Sequence, residues 1–296
     1  MTDYKSKIIA NDVTTGALQQ KSLEILKYFQ GICREQNLRY WVGGGTCIGA
    51  LRHQGFIPWD DDIDIFMPRP DYERLYAIWD QVADTEHYAL CRTDREHNNH
   101  QTDMQLVDLR TTFINRHSVN EDIKHGVSVD IMPFEGCPEG KFARAMQIYH
   151  SVVYSVFNVQ RLPDHQGKLL RFATKILLSL VPNPERRYRL WSKHEKKMAQ
   201  YDFDSARTVK ETITSMRALF YPYPREYFET KEVPFEDITV YVPVGADAYL
   251  RRIFGDYMQL PPEEDRVAKH DVVYANLNVP FEEFRGVYYC VKQPAE

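Results

Sequence analysis

WVGGGTCIGALRHQGFIPWDDDIDIFMPR, residues 41–69, holds two chemically distinct features in one short span. A glycine turn, Gly43-Gly44-Gly45-Thr46, follows the apolar lead-in Tyr40-Trp41-Val42, and the acidic run Asp60-Asp61-Asp62-Ile63-Asp64-Ile65 comes after it. In an extended strand alternate side chains share a face, so Asp62 and Asp64 project together, roughly 6.5 Å apart at their roots. Ile63, Ile65 and Met67 then point the other way, into apolar packing. Two carboxylates this close repel, and burying them unpaired is costly. A hard divalent cation removes that cost. Magnesium prefers carboxylate oxygen and keeps positions open for water and substrate phosphate, and manganese can take its place.

Two other readings compete. A solvated acidic loop is the plainer one, but these acids are interleaved with isoleucine and follow Phe56-Ile57-Pro58-Trp59. A calcium loop matches at Asp60, Asp62 and Asp64, yet it needs glycine where Ile65 stands and glutamate where Asp71 stands. The metal pair is the reading that survives. Further along, His125-Gly126-Val127-Ser128-Val129-Asp130-Ile131-Met132-Pro133 reads as an apolar strand from which one acid, Asp130, emerges. Taken alone, such an aspartate is a salt-bridge or capping residue.

Gly44-Gly45, Asp62-Ile63-Asp64-Ile65 and Val129-Asp130-Ile131, within the long motif GGGTCIGALRHQGFIPWDDDIDIFMPR, resemble the signature of the LicD family of phosphotransferases in the nucleotidyltransferase-fold superfamily. The resemblance implies an α+β fold: a nucleotidyltransferase-like core with a mixed β-sheet flanked by helices, plus a helical insertion. It makes Asp130 the third carboxylate, acting as metal ligand or as general base toward an acceptor hydroxyl. It implies phosphate contacts from the glycine turn (Gly44, Gly45, Thr46) and from Arg52, His53 and Arg69. A turn between strand and helix start offers free N–H groups to anions, and guanidinium grips phosphate bidentately. The tail, through Ala246–Met258 to Pro261-Pro262, resembles the family's C-terminal motif, with Arg266 and His270 as weaker pocket candidates. Asp108 belongs to a family stretch ending Asp-x-x-Thr, here Asp108-Leu109-Arg110-Thr111, in which a basic residue is more usual where Gln105 stands.

The implied donor is CDP-choline or a related CDP-alcohol, CDP-ribitol in animal relatives. The implied acceptor is a sugar hydroxyl of a teichoic acid, lipopolysaccharide or similar glycan, in some cases lipid-linked. A quaternary ammonium favours an aromatic cage, for which Trp59, Trp41, Tyr40 and Tyr274 are candidates. Rival functions are a nucleotidyltransferase that moves the NMP itself, a non-catalytic glycan- or nucleotide-binding relative, and a membrane-attached scaffold.

The rest of the chain bounds these expectations. It has 296 residues, 43% hydrophobic and 27% charged, with net charge −5 and no basic tract, which gives no footprint for nucleic acid. Five scattered cysteines, odd in number and without C-x-x-C, argue against a disulfide framework or zinc finger. No signal-peptide pattern or long apolar run is seen, so a cytoplasmic location is expected. Residues 1–13 read as a loose arm. Amphipathic helices are predicted over 14–36, with Thr14 or Thr15 as cap, and over 71–83, with Asp71 as cap. A shorter one is predicted over 46–53. The expected organisation is a catalytic core over 14–140, a helical subdomain over 141–220 and a returning segment over 221–296. The helix over 168–181 is apolar around most of its circumference. It reads as a packed helix or as an interfacial one touching anionic lipid at the inner face of a membrane.

Overall fold

Ile8–Ala10 (β1) folds back on Val13–Thr14 (β2) as an antiparallel hairpin, and Tyr4, Lys5 and Lys7 reach Trp59, Gly16 and Thr15, so the arm expected to be loose is tied down from Tyr4 onward. Ile9 and Val13 pack on the main core, and Asn11 donates through Nδ2 to the Ala275 carbonyl at 3.1 Å. These contacts offset the entropy of ordering the segment. The structure, a computed structural model, describes residues 3–162, 168–213, 216–268 and 270–291. Thr14 caps α1 (Thr15–Glu35) by accepting the Ala17 N–H at 3.2 Å, and Leu18, Ile25, Leu26 and Phe29 form its buried stripe.

Next come β3 (Trp41–Val42), α2 (Gly44–His53), β4 (Asp64–Pro68) and α3 (Arg69–Val82). Helix α2 begins at Gly44 rather than at Thr46, and α3 is capped at Pro68, leaving Asp71 in its first turn. Proline suits a helix start because it has no N–H to leave unpaired. Strands β5 (Tyr88–Cys91), β6 (Met104–Asp108), β7 (Thr112–Asn115) and β8 (Val127–Cys137) follow.

Three helices come next, α4 (Lys141–Val159), α5 (Lys168–Leu180) and α6 (Pro184–Met198), which enclose a small core of Tyr154, Phe157, Leu178, Trp191 and Met198. The chain then adds β9 (Thr208–Glu211), α7 (Met216–Leu219), β10 (Tyr223–Pro224), β11 (Thr230–Phe235), β12 (Ile238–Pro243), α8 (Ala246–Phe254) and β13 (Val272–Asn276).

The fold is α+β, built on a mixed sheet of seven strands. Its axis is β8. One edge of β8 pairs in parallel with β4; the other pairs antiparallel with β6 along its first half and with β9 along its second. The β11–β12 hairpin and α8 return to the main core through Val233, Phe235, Val240, Val242, Tyr249 and Leu250. Strand β13 pairs with β7, which brings the residues just before it toward the acidic stretch.

Candidate active site

The strand register decides what meets what. Asp64 on β4 stands opposite Asp130 on β8, and Asp130 stands opposite Gln105 on β6. Paired residues share a face of the sheet, and Gln105 Nε2 donates to Asp130 Oδ1 at 2.8 Å. Phe66 and Met132, one alternation further, lie on that face too, while Ile65 and Ile131 on the other face are fully buried. Asp62 falls just before β4 rather than within it, although the ladder reaches back to Ile63, whose carbonyl accepts the Asp130 N–H at 3.0 Å. The fold thus brings the half-buried Asp62 and Asp130 close enough for their charges to act on Asp64, with Asp62 and Asp130 lining one cavity and Asp64 and Asp130 another.

Two further acids join them, and sequence reasoning missed both. Asp61 is 4% exposed, and His270 Nδ1 lies 3.1 Å from its Oδ1, at an angle outside that of a hydrogen bond. Asp61, Asp62 and His270 present ligand atoms within 4.8 Å of one another. Asp103 precedes β6; its charge acts on Asp64, and the Asp130 charge acts on it. The signal for it was faint but present: Asp103 and Gln105 are one alternation apart.

The electrostatics are those of crowded like charges. Burial, then Asp62, Asp130, Asp60 and Asp103, push the Asp64 carboxyl well above the usual carboxylate range. Burial also raises Asp130, against the Gln105 hydrogen bond and the His270 charge. For His270, burial favours the neutral ring, but Asp61, with Asp62 and Asp130 beyond it, outweighs burial and pushes its pKa up to about 9. A cation between these oxygens would relieve the repulsion.

The glycine turn makes room for them. Gly44 has φ +44°, and a Cβ there would strike Asp64 Oδ2; a Cβ on Gly45 would lie 2.6 Å from Asp60 Oδ2. The Thr46 side chain is 3% exposed and Oγ1 accepts the Asp64 N–H at 2.9 Å, so the side chain fixes the entry into β4.

Arg52, His53, Trp59 and Arg266 gather in one half-buried cluster. Arg52 Nε lies 2.9 Å from His53 Nε2, and the Arg266 guanidinium sits 5.6 Å from the Trp59 ring centre. Asp60 links this cluster to the acids, since its charge acts on both Arg52 and Asp64. Arg69 does not join it. Its Nε donates to Glu135 at 3.0 Å and its NH1 to Glu73 at 2.9 Å, and the side chain is buried, so a partner far along the chain claims the group expected to face phosphate. Asp108 is also a correction. Fully buried, it accepts from Arg110 N, Nε and NH2 at 3.0, 2.8 and 2.7 Å, while Thr111 Oγ1 donates to its carbonyl, so Asp-x-x-Thr clasps a turn. Of the aromatic candidates, Tyr40 and Trp41 are core, and Tyr274 is stacked on Tyr288 at 4.0 Å.

Two cavities flank Asp130. The smaller, about 80 Å³, is lined by Asp61, Asp62, Gln105 and His270, with Lys124 and Arg161 in its wall. The larger, about 370 Å³, lies on the Asp64 side.

Comparison with known proteins adds a family to this geometry. Residues 37–163 match the family described as LicD/FKTN/FKRP, nucleotidyltransferase domain. The chain is 31% identical over 258 residues to the lipopolysaccharide cholinephosphotransferase LicD of Haemophilus influenzae, covering 84% of this chain and 92% of that protein. A shorter match, 43% identical over 42 residues, covers 14% of this chain and 8% of the human ribitol 5-phosphate transferase FKRP. An uncharacterized protein of Rickettsia prowazekii is 40% identical over 58 residues, 20% of this chain and 22% of that one.

Proposed function

Because the chain belongs to the LicD family, we propose that it transfers phosphocholine, or a similar phospho-alcohol, from a CDP-activated donor to a sugar hydroxyl of a cell-surface glycan such as teichoic acid or lipopolysaccharide. The observation that carries this reading is the parallel register of β4 on β8, with Asp64 beside Asp130 and Asp62 next in line. Likeness to a lipopolysaccharide cholinephosphotransferase over most of both chains supports phosphocholine and a glycan, and the ribitol 5-phosphate transferase match supports phospho-alcohols more broadly.

Asp62, Asp64 and Asp130 would hold magnesium, or manganese: the donors are hard oxygens, half-buried and mutually repelling, which fits such an ion. When bound, it supplies charge neutralisation for the diphosphate and the departing CMP. The remaining work falls to side chains. Arg52 and Arg266 offer positive charge beside Asp60 for donor phosphate, with His53, kept neutral by burial and by Arg52, accepting from Arg52 Nε and so orienting that guanidinium, and with Gly44 and Gly45 leaving the backbone open to close approach. Asp130, held by Gln105, completes that cation site or takes the proton of the acceptor hydroxyl as its oxygen attacks phosphorus and the phosphorus–oxygen bond to CMP breaks.

The test is product analysis. Incubated with CDP-choline, a glycan acceptor and magnesium, the protein is expected to release CMP and label the glycan, and to do neither in EDTA. Pyrophosphate from CTP would mark nucleotidyl transfer instead, and no metal-dependent turnover of any CDP-alcohol overturns the reading.

The acceptor's lipid, where present, has a surface to meet. No helix among the described residues is long and apolar enough to cross a membrane. Helix α5 buries Thr174 and Leu178 but leaves Phe172 and Leu180 62% and 72% exposed, with Ile176 and Leu177 also open. Phe172, Ile176 and Leu180 share one face with Lys175 at its border, the pattern of a helix lying in a bilayer interface. Wild-type protein is therefore expected to float with anionic vesicles and a Phe172→Glu/Leu180→Glu variant to stay behind. Equal flotation removes α5 as the contact.

A further inference from the structure

Charge is unevenly spread over this chain. Its net charge is −5, yet the outer face of α6 carries Arg186, Arg189, Lys193, Lys196 and Lys197, all exposed and spaced as one helical stripe. Elsewhere in the fold arginines hold carboxylates, as Arg39, Arg110, Arg161 and Arg285 do. On this stripe Arg189 has Glu185 at 2.9 Å, but among the described residues no carboxylate lies within ion-pair distance of Arg186, Lys193, Lys196 or Lys197. Arg189, Lys193 and Lys197 follow one another at steps of one helical turn, where like charges repel. The side chains frame a shallow trough of about 480 Å³, lined by Arg189, Ser192, Lys193, Lys196, Lys197 and Gln200, without a carboxylate or an apolar side chain.

The neighbouring helix adds an aromatic edge. Helices α4 and α6 run antiparallel: Gln147 Nε2 donates to the Met198 carbonyl at 2.9 Å, and Arg187 NH1 to Gln160 Oε1 at 2.7 Å. Tyr149 of α4, 52% exposed, lies with its ring centre 5.5 Å from that of His194, and the Lys197 and Lys193 charges act on the adjacent His150. An open aromatic ring thus borders the cations.

We propose that this face of α6 is a docking surface for an anionic glycan, a chain of sugars joined or decorated by phosphodiester groups. The inference rests on the transfer to a glycan argued above, and adds that the acceptor is charged and where its chain is held. No residue of α6 lines either cavity beside Asp130, so the surface holds the polymer away from the reacting atoms. Ammonium and guanidinium groups meet phosphate oxygens, Ser192 and Gln200 offer donors and acceptors to sugar hydroxyls, and the Tyr149 ring gives a flat face to a sugar ring. A bilayer would instead take apolar side chains between its headgroups, and α5 presents those while this trough does not.

The experiment titrates the full chain, without donor or metal, with a phosphodiester-linked hexose oligomer, a dextran oligomer of equal length, and duplex DNA, at low and at high salt. Wild type is expected to bind the phosphodiester oligomer, more weakly at high salt, and to ignore dextran. Lys193→Ala/Lys196→Ala/Lys197→Ala is expected to weaken that binding by roughly ten-fold and Tyr149→Ala by about three-fold, with melting curves to verify folding. In transfer assays the triple variant is expected to raise KM for a phosphodiester acceptor by a similar factor and to leave KM for CDP-choline where it was. Oligomer binding within about two-fold of wild type in the triple variant overturns the proposal. So does DNA bound as tightly as the oligomer, which makes the face a general polyanion surface. Anionic vesicles that release the triple variant while the oligomer keeps it overturn the glycan in favour of a bilayer. If no CDP-alcohol is turned over, the transfer reading falls, while the donor-free titration still decides what the surface binds.

Discussion

Asp64→Asn is expected to lower turnover by on the order of 10³-fold and, with EDTA present, to raise the melting temperature. Both effects have one cause. Asp64 stands opposite Asp130 in a sheet register that cannot separate them, with Asp62, Asp60 and Asp103 also acting on it. Without a cation the folded state carries this repulsion and the unfolded chain does not, so an uncharged side chain of the same shape relieves it. Relief on the order of 1 kcal/mol raises melting by about 2–4 °C in a chain of this size. Magnesium should then stabilise the wild type, because it binds the folded form alone, and stabilise the variant much less. Asp130→Asn is expected to behave alike with a smaller thermal gain, since Gln105 loses a charged acceptor. The measurements are melting with EDTA and with magnesium, and CMP release. Unchanged turnover, or a magnesium shift equal to that of wild type, takes Asp64 out of the site.

How far the site was legible follows from how local each signal is. Asp64 could be read because a strand's period of two is a short-range pattern, and Asp130 stood out as an acid interrupting an apolar run, but only the family resemblance put it in the site. The same period would have found Asp103 through Gln105, but a loop rich in His and Asn precedes that strand and blurs where it starts. Among consecutive acids, period two cannot say which turns inward, since Asp62 lies outside the strand. Asp61 is the most buried of the run, drawn in beside His270 from the far end of the chain. Long-range pairing was the blind spot. The wall of the larger cavity made by Glu211 on β9 and Tyr249 on α8 exists only once the tail has returned, and no spacing near residue 62 announces it. Helices were read well where one amphipathic stripe decided them, as in α1, and less well where prolines set the boundary, as in α3.

Arg69 is where this blindness misled most, and it yields the second large effect. Between Pro68 and Pro70 it reads as an exposed grip for phosphate; folded, its side chain is 8% exposed and its partner Glu135 is fully buried. Burial works against the Arg69 charge, but Glu135 and Glu195 outweigh it, and the Tyr72 ring adds a contact at 5.1 Å. Glu135 also accepts from Thr212, and Arg92 ties Glu73 to Glu195, so the network joins α3, β8 and α6. Arg69→Met removes the cation and strands a buried carboxylate, which is expected to cost about 3–5 kcal/mol of unfolding free energy. Adding Glu135→Gln to that variant should restore part of the loss, because the stranded charge goes with it, whereas Glu135→Gln alone should destabilise. Urea unfolding of the four proteins measures the cycle, and the folded fraction should keep the wild-type KM for the donor. A stable Arg69→Met protein with KM raised ten-fold or more would return Arg69 to the phosphates, for a guanidinium that grips substrate leaves its loss in binding and not in folding.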